Sequence, residues 1–159
     1  QPERFNTTFI ALSYNPSILT NDTFNAKFPT NGEIGDNDWI ILRYADVLLL
    51  YSEAILAGAQ STTDARAIEA YNKVRRRAGL EENSSFVLTK QELLDERRAE
   101  FVFENQRLFD LIRFGEADNV LRQFSIDNSL NYTSEKKYLP FPQREIDNLP
   151  GFYNQNNGY

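Results

Sequence analysis

Histidine and cysteine are both missing from this chain of 159 residues. Their absence excludes a Ser-His-Asp triad, a cysteine nucleophile, a disulfide and any zinc site built from histidine or cysteine. The chemistry open to the chain therefore rests on carboxylates, basic side chains, hydroxyl groups and aromatic rings. The lack of cysteine leaves the redox compartment undecided.

A long hydrophobic run is missing as well. The most apolar stretch, residues 39–57, contains Arg43, Asp46 and Glu53, whose charges would be costly in hydrocarbon. The stretch therefore predicts a buried helix, and neither a signal peptide nor a transmembrane span. Because the chain begins at Gln1, we expect a fragment that lacks an N-terminal portion of a longer polypeptide.

An excess of basic charge is also absent. Lysine and arginine number 17 against 23 aspartates and glutamates, which gives a net charge of -6. A protein that follows a nucleic-acid backbone needs a basic face to displace counterions. The charge balance therefore argues against nucleic acid as a partner.

The length suits a single domain with one core, in which three segments follow one another. Residues 1–38 are rich in Asn, Thr, Pro and aromatic residues and predict loops with one short strand at 8–13. Residues 39–123 have helical periodicity and predict the helical core. Residues 124–159 predict a polar loop and a proline-punctuated tail that runs extended.

Two helices open the helical segment. The first has Asp38 as its predicted N-cap and ends at Gly58, and the second runs over 64–78. Helices of this length joined by a short connection make an αα-hairpin, as in tetratricopeptide repeats. Their apolar stripes, with that of a third helix, predict one core that contains Leu48, Tyr71, Val74, Phe101 and Leu108.

A capping box marks the start of the third helix, where Thr89 and Glu92 are spaced to bond each other's backbone N–H. No Gly or Pro follows until Gly115, so the pattern predicts one helix of about 25 residues. The predicted fold class is all-α: a tetratricopeptide-like helical hairpin, a long third helix, and irregular segments at both ends.

Charged side chains recur on these helices at spacings of three and four residues, and like charges at such spacings repel unless cations lie nearby. We predict a structural ion network of Arg43, Glu53, Arg75, Arg77, Glu96, Arg97, Glu100, Glu104, Arg107, Asp110 and Arg113. The functional alternative is a pair of glycosidase carboxylates. Carboxylates matched by this many arginines make poor general acids, so no catalytic residue is predicted.

Candidate ligand contacts are few. Trp39 and Tyr14 are predicted to contact ligand, because glycan binders place sugar rings against exposed aromatic faces. The acidic loop at 31–38 lacks the ligand spacing of an EF-hand and is interpreted as a turn. Neither a metal site nor a cofactor is predicted.

Four blocks of sequence carry a resemblance: Leu42-Arg-Tyr-Ala-Asp46 with Glu53-Ala54, Asn72 to Gly79, Glu96 to Arg113, and Leu139 to Tyr159. Taken in order, they resemble the C-terminal part of the RagB/SusD family. The chain departs from that family at Phe141, where Ile is usual, and at Asn157, where the family tends to have Pro.

The resemblance implies a glycan- or nutrient-binding lipoprotein of the outer membrane that faces outward and is not an enzyme. Its implied partners are an oligosaccharide or other nutrient and a TonB-dependent transporter similar to SusC, with the lipid anchor outside this soluble fragment. The alternative that stays open is a tetratricopeptide-like adaptor that binds a protein and no small molecule. The Pro-Phe-Pro and Gln-Asn-Asn-Gly-Tyr blocks favour the first hypothesis, since a generic adaptor has no reason to contain them.

Overall fold

Residues 9–11, 23–25 and 40–159 are described by a computed structural model of the chain. They fall in two compact units that divide between Arg107 and Leu108. Helices supply most of the regular structure in these ranges, which confirms the all-α class. The division of one domain into three segments stays a prediction.

Two short antiparallel strand pairs lie in the first unit. β1 (Phe9–Ala11) pairs with β2 (Thr23–Asn25), and β3 (Ser61–Thr62) pairs with β4 (Leu88–Thr89). β1 lies inside the strand predicted at 8–13, whereas β2 falls where the sequence predicts loop. β3 lies in the connection between the two helices of the hairpin, and β4 directly precedes the next helix.

α1 (Tyr44–Leu56) and α2 (Ala65–Arg77) form the hairpin. Leu48 and Val74 line one cleft near the start of α1 and the end of α2. Further along α1, Ser52 Oγ donates to the Ala67 carbonyl oxygen at 2.8 Å. Because these contacts advance along α1 while they retreat along α2, the helices pack antiparallel.

The predicted core residues of the first unit lie largely inside it. Tyr71, Val74 and Phe101 are buried, and Leu48 is half-buried. Leu108 is half-buried in the second unit, so its membership of the same core stays a prediction.

The start of the first helix differs from the sequence prediction. α1 begins at Tyr44 after Arg43, whose backbone is extended (φ -142°, ψ 162°), so a helix over residues 40–43 is wrong. The periodicity counted the apolar residues there as part of a buried helical face, but Ile41 and Leu42 are exposed. Asp38, the predicted N-cap, lies outside the described residues.

The capping box forms as predicted at the start of α3 (Lys90–Glu100). Thr89 Oγ1 accepts from the Glu92 N–H at 3.2 Å, and Glu92 Oε2 accepts from the Thr89 N–H at 2.8 Å. Two donors that the first turn of any helix leaves open are thereby satisfied.

The prediction of one continuous third helix is wrong. α3 ends at Glu100, and α4 (Arg107–Arg113) begins after a turn in which Phe103 and Asn105 have positive φ. The segment contains no Gly or Pro, so local propensity alone gives no break. The break coincides with bonds that Arg43 makes to this turn, and tertiary contacts override a weak local preference.

The second unit continues with α5 (Ala117–Asp127), a 3-10 helix (Ser134–Lys137) and α6 (Gln143–Asn148). The prediction of an extended tail is wrong at 143–148. Pro142 directly precedes α6 with φ -56°, and the fixed φ of proline suits a helix start.

Beyond α6 the tail is held by the side chain of Gln155. Its Oε1 accepts from the Phe141 N–H at 2.8 Å and its Nε2 donates to the Phe141 carbonyl oxygen at 3.0 Å. Asn156 Nδ2 donates to the Leu139 carbonyl oxygen at 2.6 Å, and the rings of Phe141 and Tyr153 stack with centroids 5.4 Å apart. These contacts tie the two tail blocks of the sequence to each other.

Replacing Thr89 by Ala is expected to lower the free energy of unfolding by about 1 kcal/mol, because the cap acceptor at the start of α3 is lost. Urea denaturation followed by circular dichroism measures the change. Thr63→Ala is the matched control: Thr63 is exposed and caps no helix, so its change should stay within about 0.5 kcal/mol. Equal losses in the two variants would contradict the assignment.

Candidate functional site

The two residues predicted to contact sugar, Trp39 and Tyr14, both lie outside the described residues, so their role stays a prediction. The acidic loop at 31–38 lies outside them too. Within the described part of the chain, no group of three or more acidic side chains is placed to hold a metal ion. In the same ranges, no helix combines the length and apolarity needed to cross a bilayer.

Arg43 is the centre of the charged cluster in the first unit. Its Nε and Nη2 donate to the two carboxylate oxygens of Glu104, each at 2.9 Å, and its Nη1 donates to Glu100 Oε1. Nη2 also donates to the Glu100 carbonyl oxygen at 2.9 Å, and the guanidinium carbon lies 4.5 Å from the centre of the Phe101 ring. Burial by itself lowers the pKa of Arg43, but the hydrogen bonds to Glu104 and Glu100 have the larger combined effect, so the pKa is raised.

The arginines at the end of α2 meet the carboxylates of α3. Arg77 Nη2 donates to Glu100 Oε1, and Arg75 Nη1 donates to Glu96 Oε2 at 2.9 Å. Both carboxylates are buried, whereas the Arg77 side chain is 62% exposed. The ends of α2 and α3 are therefore joined by ion pairs that reach from the interior to the surface.

Arg97 is the most deeply buried of these cations and pairs with a residue outside the predicted network. Its Nη1 donates to Asp46 Oδ1 at 2.8 Å, with side-chain exposures of 1% and 10%. Asp46 lies on the buried face of α1 with Leu49, Ser52 and Leu56, and a charge at a buried position needs a partner. The pair links α1 to α3.

The remaining predicted network residues are placed as follows. Arg113 Nη2 donates to the buried Asp110 Oδ1 at 2.8 Å within the second unit. Arg107 Nη1 donates to the Leu94 carbonyl oxygen at 3.4 Å. Glu53 is half-buried on α1, and its membership of the network stays a prediction.

A cleft of about 370 Å³ opens beside Arg43 in the first unit. Apolar atoms of Leu48 and Val74 lie in its wall, and Arg43, Lys73 and Arg77 bring positive charge to it. Clefts of this size suit small ligands or single inserted side chains. Arg43 and Arg77 are already paired with Glu100 and Glu104, so most of this positive charge is compensated.

The buried carboxylates of α3 and the turn after it do not make a hydrolytic site. Glu96, Glu100 and Glu104 each accept hydrogen bonds from arginine, and an ionised carboxylate can only accept. A glycosidase needs one protonated carboxyl group that faces the scissile bond. Instead, Arg43, Arg75 and Arg77 hold the carboxylates of Glu96, Glu100 and Glu104 in place between the helix ends. We call these six side chains the clamp.

The SusD family model matches residues 13–159, and the chain belongs to this family. Starch-binding protein SusD of Bacteroides thetaiotaomicron is 34% identical over 130 residues, which are 78% of this chain and 22% of that protein. SusD-like protein P2 of Formosa agariphila is 28% identical over 140 residues, 81% of this chain and 27% of that protein. The chain thus spans about a quarter of the length of these relatives.

Solved structures of similar proteins agree with the fold. Surface glycan-binding protein A from Bacteroides uniformis matches with a TM-score of 0.78 at 28% identity, over 97% of this chain and 37% of that one. Surface glycan-binding protein A from Bacteroides thetaiotaomicron, in complex with laminarihexaose, matches with a TM-score of 0.64 at 40% identity, over 77% of this chain and 26% of that one.

Replacing Glu100 by Ala is expected to destabilise the protein by about 1.5–3 kcal/mol, because Arg43 and Arg77 lose their bonds to a buried carboxylate while Arg43 keeps its bonds to Glu104. Glu82→Ala is the matched control, since Glu82 pairs with Arg76 at the exposed surface, where an ion pair adds little. Chemical denaturation of both variants measures the difference. A loss for Glu100→Ala no larger than for the control would contradict the clamp.

Replacing Asp46 by Leu should cost about 3–5 kcal/mol, because the carboxylate that Arg97 meets in the interior is removed. Because the two side chains bond each other directly, Asp46→Leu should cost less in a chain that already carries Arg97→Met. A double-mutant cycle measures the coupling. If the losses in free energy of unfolding of the two single variants simply add in the double variant, the two side chains are not coupled.

Proposed function

We propose that this chain is part of a non-enzymatic carbohydrate-binding protein of the outer cell surface. The observation that carries the proposal is membership of the SusD family together with a relative, 40% identical, that was solved in complex with laminarihexaose. The clamp of arginines and carboxylates supports a binding role, because it supplies no general acid.

The proposal extends to the path of the ligand. The protein delivers the bound glycan or other nutrient to a TonB-dependent transporter similar to SusC, and a lipid anchor outside this chain holds it on the outward face of the outer membrane. The resemblance of the tail blocks supports this extension. The side chains of Gln155 and Asn156 in one block bond the backbone of Phe141 and Leu139 in the other, as expected for a motif that shapes a family-specific surface.

The alternative is an adaptor that binds a protein through the helical hairpin. Its support is the surface of α1, where Tyr44 is 69%, Val47 46% and Tyr51 45% exposed within the described structure. Exposed apolar residues at helical spacing suit contact with a further helix. An adaptor would leave carbohydrate unbound.

Incubation of the purified chain with plant and microbial glycans should release no reducing sugar, because no described group is placed as a general acid. Calorimetry with the same glycans should show binding that is weak or below its detection limit, since the chain spans only about a quarter of its relatives' length. Trp39→Ala is the control variant. Turnover of any glycan would overturn the binding-protein proposal, and tight binding that survives Trp39→Ala would move the site away from Trp39.

Affinity purification of the tagged protein from outer membranes separates the two functions. The uptake proposal predicts that a TonB-dependent transporter co-purifies with the tagged protein in comparable molar amounts. Recovery of a soluble protein, with no transporter and no glycan binding, would favour the adaptor.

A further inference from the structure

A polar cleft in the second unit lies beside the tail contact that Asn156 makes to Leu139. Its volume is about 350 Å³, and it is lined by Ser134, Glu135, Lys137, Tyr138, Asn156 and Asn157. These residues belong to the 3-10 helix, the residue that follows it and the C-terminal segment, so both walls lie within one compact unit.

The walls of the cleft are held in place by contacts behind them. Lys137 Nζ donates to Asp118 Oδ2 at 3.2 Å, and the Tyr132 hydroxyl donates to Asp118 Oδ1 at 2.9 Å, which fixes the 3-10 helix against α5. On the other side, a Cβ on Gly158 would lie 3.1 Å from Glu135 Cβ, and φ of Gly158 is +96°. Glycine suits both this approach and this backbone conformation, which lets the C-terminal segment pass close to the 3-10 helix.

An aromatic ring and an amide face the solvent at this cleft. The Tyr138 side chain is 55% exposed, and Lys137 Nζ lies 5.5 Å from the centre of its ring. The side-chain amide of the exposed Asn157 makes no hydrogen bond within the described part of the chain. An aromatic surface beside a free amide donor and acceptor matches a pyranose, which presents one apolar C–H face and a rim of hydroxyl groups.

The charges of the cleft favour a neutral sugar. Hydrogen bonds from its own backbone N–H and from the Thr133 hydroxyl lower the pKa of Glu135, so its carboxylate is an acceptor at neutral pH. The ammonium group of Lys137 is already engaged by Asp118. A sugar carboxylate would meet Glu135 without a free cation among the cleft residues, whereas a sugar hydroxyl can donate to it.

We propose that this cleft is a subsite for a neutral saccharide, with the sugar ring against Tyr138 and its hydroxyl groups bonded to Asn157 and Glu135. The subsite rests on the proposed carbohydrate-binding function and adds to it a location and a preference for uncharged sugars. It lies apart in sequence from Trp39 and Tyr14, to which the sequence assigns ligand contact.

NMR titration of the ¹⁵N-labelled chain with laminarihexaose and maltohexaose, and with an oligogalacturonate as anionic probe, tests the subsite. The neutral probes should shift the side-chain amides of Asn156 and Asn157 and the backbone signals of residues 134–138. Tyr138→Ala should weaken binding roughly three- to tenfold, as expected for loss of one stacking contact. Phe124→Ala is the matched control, since Phe124 is an exposed aromatic residue of the second unit outside the cleft and its loss should leave the affinity unchanged.

Two further variants sharpen the outcome. Asn157→Ala removes no hydrogen bond of the described structure and should still weaken binding, which keeps the test valid if Tyr138→Ala disturbs the tail. Glu135→Gln should narrow the preference for neutral over anionic probes, a change that a purely structural role would not produce.

Shifts that map elsewhere and survive Tyr138→Ala and Asn157→Ala would overturn the subsite while leaving carbohydrate binding in place. Absence of shifts with both neutral probes would also overturn the subsite. The proposed function is decided separately by the recovery of the transporter from outer membranes.

Discussion

The guanidinium of Arg43 is the contact on which the packing of the first unit depends. Arg43 directly precedes α1, and its side chain bonds both the carbonyl oxygen and the carboxylate of Glu100 at the end of α3. It bonds Glu104 in the turn that follows, while Arg77 from the end of α2 shares Glu100. A planar fork of donors can satisfy this set of acceptors, and a lysine ammonium could not.

We infer that these buried charges specify the arrangement of the helices more than they stabilise it. Leu49 and Leu93 are fully buried and supply the free energy of apolar burial, but leucines tolerate small slips between helices. A buried ion pair returns little more than its desolvation cost. The ion pair of Arg97 and Asp46 can form in one register only, because a slipped helix would place either charge against apolar atoms. The chain therefore places arginine and carboxylate where α1, α2 and α3 must meet in a fixed way.

The features that were predictable from sequence are those set by neighbours along the chain. The capping box of Thr89 and the antiparallel hairpin follow from local spacing, and repulsion between successive glutamates predicts arginines near α3. The end of α3 could not be predicted, because Phe103 and Asn105 adopt positive φ in a segment free of Gly and Pro. Asn105 alone offered a local hint, since Asn tolerates the left-handed region. The partner of Arg97 was missed for a related reason: Asp46 is 51 residues away in sequence, and only the folded hairpin brings the two together.

The tail shows how a short motif can be explained by its backbone alone. In the Pro-Phe-Pro block, proline has no N–H, so Phe141 is the only one of the three residues that can donate a backbone hydrogen bond. The side-chain amide of Gln155 accepts from this N–H through Oε1 and donates through Nε2 to the carbonyl oxygen of Phe141. The requirement falls on the glutamine and on the backbone of Phe141, whose side chain is 39% exposed and can differ from the isoleucine usual in the family. The same pairing leads the chain into Asn156 and Asn157, so the amide of Gln155 also sets one wall of the polar cleft.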